Sequence, residues 1–496
     1  MGPCPPDVLR RQGPGARCPA RRPCRDEATG RTWGVFEVRP ETDGPPAPRG
    51  RTDPDNVVLR AAAGSPSPGG TSVVLPSPPQ AGLAWSSHPL PRRGWRGRPV
   101  PSRGGPVPGP LDGVVVVDLS RALAGPHATM VLADLGARVV KVEPPGGDDT
   151  RGWGPPFAGP DDDPVSPYWL AANRNKESVV LDLRSDEGRR TLTRLVRHGD
   201  VLVENFRPGV LDRLGFDVAT LRALSPRLVV LSISGFGHDG PEGGRAGYDQ
   251  VAQGEGGLMS VTGSGPDDPQ RVGVPVADLV AGLHGALGVA AALREREVTG
   301  RGRVVRTSLL AAAVGLHAFQ GTAYTVTGQV PRARGNHHPT LAPYGLFRAA
   351  DGPVQVAIGS ARLWDRFAAA FGLDAADPRL ATNTDRVVHH AHLVEVVEAA
   401  FAAWTADALL DRLDELGVPA GRVRTMDEVY DWEQTRSQGL VVEVDHPVLG
   451  PTELPGPPLR FDEDGRGGRT RHEPPPRLDA HGASVRAWLD AMDEGG

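Results

Sequence analysis

The stretch Arg271-Val-Gly-Val-Pro-Val-Ala-Asp278-Leu-Val-Ala-Gly-Leu-His284-Gly-Ala-Leu-Gly288 carries the residue best placed to do chemistry. After Pro275 the apolar positions Leu279, Leu283, Leu287 and Ala290 recur at helical spacing, which predicts a helix over about 279–296 with Asp278 as its N-cap. Gly282 and Gly285 lie on the same face as Asp278 and leave it bare; mid-helix glycines cost stability and imply close approach of another backbone or of a ligand. A carboxylate at a helix N-terminus is held ionised by the helix dipole. Asp278 is therefore read as an N-cap on the plain view and as a nucleophile on the sharper one. The nearby run Gln253-Gly-Glu-Gly256-Gly257 offers backbone N–H groups to a developing oxyanion, or simply makes a tight turn.

Strands and helices alternate ahead of this stretch. Val114–Asp118 reads as a buried strand, 125–135 as a helix and Arg138–Glu143 as the next strand. The pattern continues with the strand 178–183, a helix over 186–197, the strand 201–205, a helix over about 211–224 and the strand 228–234. Such alternation implies an α/β fold, Rossmann-like, with a mostly parallel sheet whose ligands sit beyond the strand C-termini. No G-x-G-x-x-G or P-loop is present, which disfavours nicotinamide and nucleotide-hydrolysing enzymes. A helix over 308–324 follows. A smaller α+β domain is then expected from the strand 354–358 and helices near 363–371, 393–404 and 406–416, with a strand at 440–444 and a last helix at 483–492. The pairs His337-His338 and His389-His390 invite a metal reading; adjacent histidines diverge and lack acidic or cysteine partners at ligand spacing, so no metal site is assigned.

Composition narrows the classes. A formal net charge of -5 over 496 residues points to neither a nucleic-acid binder nor a membrane-surface protein. There is no unbroken run of 18 apolar residues and no signal-peptide core at the N-terminus, so a cytoplasmic location is the expectation. Cys4, Cys18 and Cys24 are the only cysteines, which removes thiolate chemistry from everything after them. Of 55 basic residues only Lys141 and Lys176 are lysines, a bias read as that of a G+C-rich genome. Residues 1–108 are rich in Pro, Gly and Arg and are expected to be disordered, with a basic arm or an over-extended start as alternatives. The expected division is 1–108 as this extension, 109–325 as the large domain, 326–434 as the small one and 435–496 as a C-terminal segment.

The segments LDGVVVVDLSRALAGPHATMVLADLGARVVKVEPPGGDDTRGW, ANRNKESVVLDLRSDEG, DVLVENFRPGVLDRLGF and GYDQVAQGEGGLMSVTG resemble the class III CoA-transferase family, which includes formyl-CoA transferase and alpha-methylacyl-CoA racemase. The resemblance runs from about Leu111 to the C-terminal helix. It implies that Asp278 is the catalytic aspartate and that Tyr248-Asp249 matches a tyrosine–acid pair, Asp249 orienting groups near an anhydride. It further implies CoA contacts at Leu181, Arg184, Asn205 and Arg213, the two arginines suiting phosphates. CoA enters as a thioester substrate, with no permanently bound cofactor, and the partners are an acyl-CoA donor and a carboxylic acid acceptor. The resemblance also implies that 435–496 returns to the large domain and that two ring-like chains interlock as a homodimer.

Two other readings stand beside the transferase. A 2-methylacyl-CoA racemase needs a base on each side of the alpha carbon, and the racemase branch has histidine where Tyr248 stands; an unperturbed tyrosine, titrating near pH 10, is a poor base at neutral pH. A non-catalytic CoA-ester binding protein would keep the arginines without needing Asp278. The chain departs from the family pattern at Arg306, where aspartate is usual, and at Leu478-Asp-Ala-His-Gly482 near the C-terminus.

Overall fold

The structure is a computed structural model and describes residues 109–374, 376–461 and 469–495. The disorder expected for 1–108 lies outside the described residues. Six strands, β1 (Val115–Asp118), β2 (Arg138–Glu143), β3 (Lys176–Val180), β4 (Val201–Glu204), β5 (Val229–Ser234) and β6 (Val304–Ser308), form one sheet in the order β3-β2-β1-β4-β5-β6. Every neighbouring pair is parallel. The central strands β1, β4 and β5, buried on both faces, are rich in Val, Leu and Ile, as inner parallel strands must be, while β3 and β6 at the edges carry more polar residues. This is a Rossmann-like α/β sheet, and its strand order reverses between β1 and β4, which opens a crevice at their C-terminal ends.

Each face has its own core. On one, Ala128, Leu132, Ala281, Ala286 and Val289 bring the helices Ala124–Asp134 and Val276–Thr299 onto Val203, Leu231 and Ile233. On the other, Leu192 and Leu195 of the helix Asp186–His198 pack with Leu202 and Val230, joined by Val485 and Leu489 of the C-terminal helix Gly482–Glu494. The tail is further fastened where Ser178 N donates to His481 Nδ1 at 3.2 Å and Val180 N to Asp479 Oδ1 at 2.8 Å. Residues of the divergent Leu478–Gly482 segment thus serve the edge of β3 directly.

Several element limits differ from expectation for local reasons. The helix read over 211–224 is two, Val210–Arg213 and Val218–Leu224, because Gly215 takes φ 87° between them. The helix read over 308–324 divides into Leu309–Gly315 and Ala318–Thr327 at Ala318, whose φ is 47°. The Asp278 helix is the longest, Val276–Thr299, and is apolar and long enough by composition to cross a membrane. Here its small apolar side chains pack against the sheet and the Ala124–Asp134 helix.

Beyond it lies a three-stranded antiparallel sheet of Tyr344–Arg348, Pro353–Ala357 and Ala420–Arg422. With the helices Ala361–Phe371, His390–Phe401 and Ala406–Glu415 it forms an α+β unit around Phe347, Phe367 and Phe401. The hairpin Val441–His446/Gly450–Pro455 then packs Val444 and Leu454 on Trp169 and Leu170.

Candidate active site

The loop after β1 forms the floor of the crevice and is held by buried charge. Asp118 pairs with Lys176 at 3.2 Å and Asp148 with Lys141 at 3.1 Å. Both lysines of the chain are buried here. Lys141 Nζ donates to Ser120 O at 2.7 Å; Lys176 Nζ donates to Pro126 O and Asn173 Oδ1, each at 2.9 Å. Burial works against ionisation of Asp118, but the two lysines and the hydroxyls of Ser120 and Thr129 outweigh it and hold its carboxyl at about 2. Ala122 sits in the left-handed region at φ 61°, a costly place for a residue with a Cβ. Asn205, at the end of β4, clamps the residue before it: Arg121 N donates to Asn205 Oδ1 at 2.8 Å and Asn205 Nδ2 to Arg121 O at 2.7 Å.

Two cavities open over this floor. One, of about 650 Å³, is lined by Leu181, Arg184, Phe206 and the Pro144–Gly147 turn; the other, of about 230 Å³, by Asn205, Arg207, Gly235, Arg245, Tyr248 and Asp278. Arg121, Asp149 and Phe206 belong to both, so the larger groove leads into the smaller chamber. Five predicted residues are thereby assembled: Leu181 and Arg184 in the groove, and Asn205, Tyr248 and Asp278 in the chamber. Arg213 is not in either lining; it ends a single-turn helix, exposed, with its guanidinium by Gly209.

Asp278 is not the N-cap. The helix begins at Val276, so Asp278 is its third residue, and the free N–H groups are taken by Asp249. Asp249 Oδ1 accepts from Ala277 N at 2.8 Å and from Asp278 N at 3.4 Å, while Oδ2 accepts from Gln253 Nε2 at 2.7 Å. Gln253 Oε1 in turn accepts from Val272 N at 2.8 Å, fixing the approach to the helix. Asp249 therefore reaches the chemistry from behind, as the cap that sets where Asp278 stands. The expected ionising effect of the helix terminus is reversed too: burial first, then the Asp249 charge, push the Asp278 carboxyl up to about 7.

The bare helix face is filled by its neighbours in the fold, backbone at Gly282 and side chains of β5 at Gly285. A Cβ on Gly282 would stand 2.6 Å from Ala124 O, and one on Gly285 would stand 2.9 Å from Leu231 Cδ2. These glycines let the helix sink onto its neighbours and so bring Asp278 to the mouth of the crevice. The glycine run does not join the chamber. Gly256 N and Gly257 N donate to Ala252 O and Gly254 O at 2.8 and 3.1 Å, Gly256 O accepts from His317 Nε2 at 2.6 Å, and Gly257 lines a separate cavity of about 300 Å³. Those N–H groups are spent in closing the helix Asp249–Glu255, which is the tight-turn reading.

Several site residues escaped the sequence reading. Trp153 lines the chamber, and Tyr168 packs edge-on against it at 4.8 Å between ring centroids. Burial, then Asp278 and Asp249, raise the Tyr168 phenol above its usual range, which places its ring in the field of both carboxylates. Arg121, Arg207 and Arg245 make the chamber basic; Arg245 is shared with Glu255 at 2.6 Å. The available signal was the aromatic cluster Trp153, Tyr168, Trp169 in a chain with 5% aromatic residues. Elsewhere His337 and His390, one from each pair, meet at 4.3 Å between ring centroids. Among the described residues no group of three or more metal-ligating side chains forms.

Comparison with known proteins agrees with this geometry. The model of CoA-transferase family III matches residues 111–482. The succinate–glutarate CoA-transferase of Agrobacterium fabrum is 37% identical over 396 residues, 77% of this chain and 96% of that protein. The acetyl-CoA:oxalate CoA-transferase of Acetobacter aceti is 37% identical over 391 residues, 78% of this chain and 97% of that protein. The crystal structure of a CaiB/BaiF family protein from Brucella suis superposes with a TM-score of 0.69 at 39% identity, covering 77% of this chain and all of that one. With its doubly wound sheet, its chamber at the switch point and these relatives, the chain belongs to CoA-transferase family III and is an enzyme of the CoA-transferase class.

Proposed function

We propose that the enzyme moves CoA between an acyl-CoA thioester and a small dicarboxylic acid through covalent intermediates on Asp278. The observation that carries this reading is a carboxylate at the inner end of a long groove whose outer end holds Arg184. CoA lies along the groove with its phosphates toward Arg184 and Arg121 and its thioester in the chamber. Asp278 attacks the thioester carbonyl, forming a mixed anhydride and releasing CoA thiolate; the thiolate attacks the aspartyl carbonyl, expelling the donor acid and leaving an aspartyl-CoA thioester. The acceptor carboxylate attacks that thioester, and the freed thiolate takes the acceptor's acyl group from the second anhydride, restoring Asp278. The anhydride keeps the acyl group activated, so no ATP is consumed. Succinate, glutarate and oxalate in the names of the relatives are dicarboxylic acids, and Arg207 and Arg245 supply cations for a second carboxylate.

Incubation with succinyl-CoA and acetyl-CoA, trapping with hydroxylamine and peptide mapping by mass spectrometry should place a hydroxamate on the Asp278 peptide alone. If no thioester labels it and alpha-proton exchange appears in deuterated water instead, the racemase reading replaces this one; binding without label or exchange leaves a CoA-ester binding protein.

We also propose that two copies assemble as an interlocked homodimer. Leu283 and Leu287 on the Asp278 helix and Phe319 and Tyr324 beyond it are all more than a third exposed, an apolar surface that supports a partner of the same kind. Light scattering during size-exclusion chromatography should give twice the chain mass of 52.4 kDa, and a monomer at micromolar concentration would reject the dimer.

A further inference from the structure

A set of polar side chains with no part in the chemistry above ties together two walls of the chamber. Glu204 and Ser232 are register partners on β4 and β5, and Ser232 and Arg306 on β5 and β6, so the three leave the same face of the sheet at its C-terminal edge. His238, four residues beyond β5, folds back over them: its Nε2 is 2.7 Å from Ser232 Oγ, which makes a close hydrogen bond to Glu204 Oε1. The other oxygen, Glu204 Oε2, accepts from Phe206 N at 2.9 Å. On the far side of the imidazole, Ser234 Oγ lies 3.5 Å from Nδ1 and accepts from Gly237 N at 3.0 Å.

With Glu204 ionised, the valences leave one arrangement. A carboxylate only accepts, so the single Ser232 hydroxyl proton goes to Glu204 and its oxygen accepts from His238 Nε2–H; Nδ1 is then the acceptor for the Ser234 hydroxyl. A directed chain of hydrogen bonds runs from Gly237 through Ser234, His238 and Ser232 to Glu204, and Phe206 closes it from the other end. Its ends adjoin the two walls: Asn205, Phe206 and Arg207 on one side, Gly235 and the 245–248 segment on the other. Only a neutral imidazole supplies a donor and an acceptor at once, and burial, reinforced by Arg306 and opposed by Asp239, favours that form of His238. Burial raises the Glu204 carboxyl, the bonds from Ser232 and Phe206 N and the Arg306 charge oppose it, and the Asp212 charge adds to it; a protonated Glu204 reverses the direction of the chain through the same neutral imidazole.

We propose that His238 is a positioning residue for the transfer reaction, holding the 235–248 wall of the Asp278 chamber in register with the 205–207 wall through Ser232 and Glu204. The claim rests on the transferase reading of that chamber for its catalytic consequence but not for its structural one. The test compares His238→Ala, Ser232→Ala and His238→Gln, whose amide also offers one donor and one acceptor. His238→Ala and Ser232→Ala should each lower kcat about 10-fold with KM for the thioester within about 2-fold, and His238→Gln should restore kcat to within about 3-fold of the parent. Hydrogen–deuterium exchange without substrate should show 205–207 and 235–248 losing protection together in both alanine variants, at unchanged global stability. Unchanged kcat in His238→Ala, failure of glutamine to rescue, or exchange confined to 235–240 would each overturn the proposal. If the parent transfers no CoA, the reading of the chamber fails while the exchange result still decides whether the tie exists; should an alanine variant not fold, His238→Gln and the other alanine variant carry the test.

Discussion

Asp278→Asn is expected to abolish CoA transfer, by a factor of about 10³ or more in kcat, while CoA-ester binding in the groove stays within a few-fold of the parent. The amide keeps the shape of the side chain and loses the nucleophile. The same substitution should stabilise the fold. The Asp278 carboxyl titrates near 3.8 when unfolded and at about 7 when folded, so between these values the folded chain holds a proton that the unfolded chain has released. Stability from this group is full below about pH 4, falls as pH rises and is gone above pH 7, where an ionised carboxylate must sit half-buried beside Asp249. Each unit is worth about 1.4 kcal/mol in the limit, and partial exposure screens it, so Asp278→Asn should gain about 1–3 kcal/mol at pH 8 and nothing at pH 4. Thermal melts at the two pH values check this; equal effects at both would reject it. The matching kinetic expectation is an acid limb in kcat/KM near pH 7, because only the ionised carboxylate attacks. Asp249→Asn retains an oxygen to cap the helix but removes the like charge, and should move that limb down by about one unit. A limb that stays where it was would remove Asp249 from the electrostatics of the nucleophile.

The second large effect is on folding. Lys176→Met is expected to cost about 3–5 kcal/mol, because Asp118 would be left buried with one of its two cations gone, Asn173 Oδ1 would lose its lysine donor and Pro126 O would keep only weaker ones. Lys141→Met should behave alike, stranding Asp148 and Ser120 O beneath the loop that carries Arg121. Urea midpoints measured by circular dichroism and by tryptophan fluorescence are the check. A loss under about 1 kcal/mol would mean that these pairs contribute little beyond what an apolar side chain gives. Arginine is expected to rescue neither, since the planar guanidinium is larger and places its donors in a fork rather than at a point.

That second expectation also shows what the composition held unread. In a chain whose other 53 basic residues are arginines, two lysines look like leftovers of codon bias. Both are buried under the site, where a compact cation with three donors meets carboxylate, carbonyl and amide oxygens at once. The signal was in the sequence; its meaning needed the fold.

What the amino-acid sequence settled alone was whatever depends on neighbours along the chain. Alternating Val-rich runs and helical periodicities specify a parallel sheet with covered faces, because period and run length are local properties. The glycines of the Asp278 helix announce close packing for the same reason, though only the fold shows that backbone meets Gly282 and side chains meet Gly285. Tertiary structure decided what depends on residues distant in the chain. Capping passed from Asp278 to Asp249, 29 positions away, since only the fold brings that carboxylate over Ala277 N. The state of Asp278 followed, because burial and a like charge are spatial facts that outweigh a helix dipole. Gly256 and Gly257 left the chamber because their N–H groups already closed a helix, and Arg213 left the groove because its turn presents Val210 and Leu214 to the lining and leaves Arg213 exposed. Arg121, Arg207, Arg245 and Trp153 entered the chamber, with Tyr168 packed behind Trp153, because four loops meet at the reversal of strand order, a point that no single stretch of chain contains.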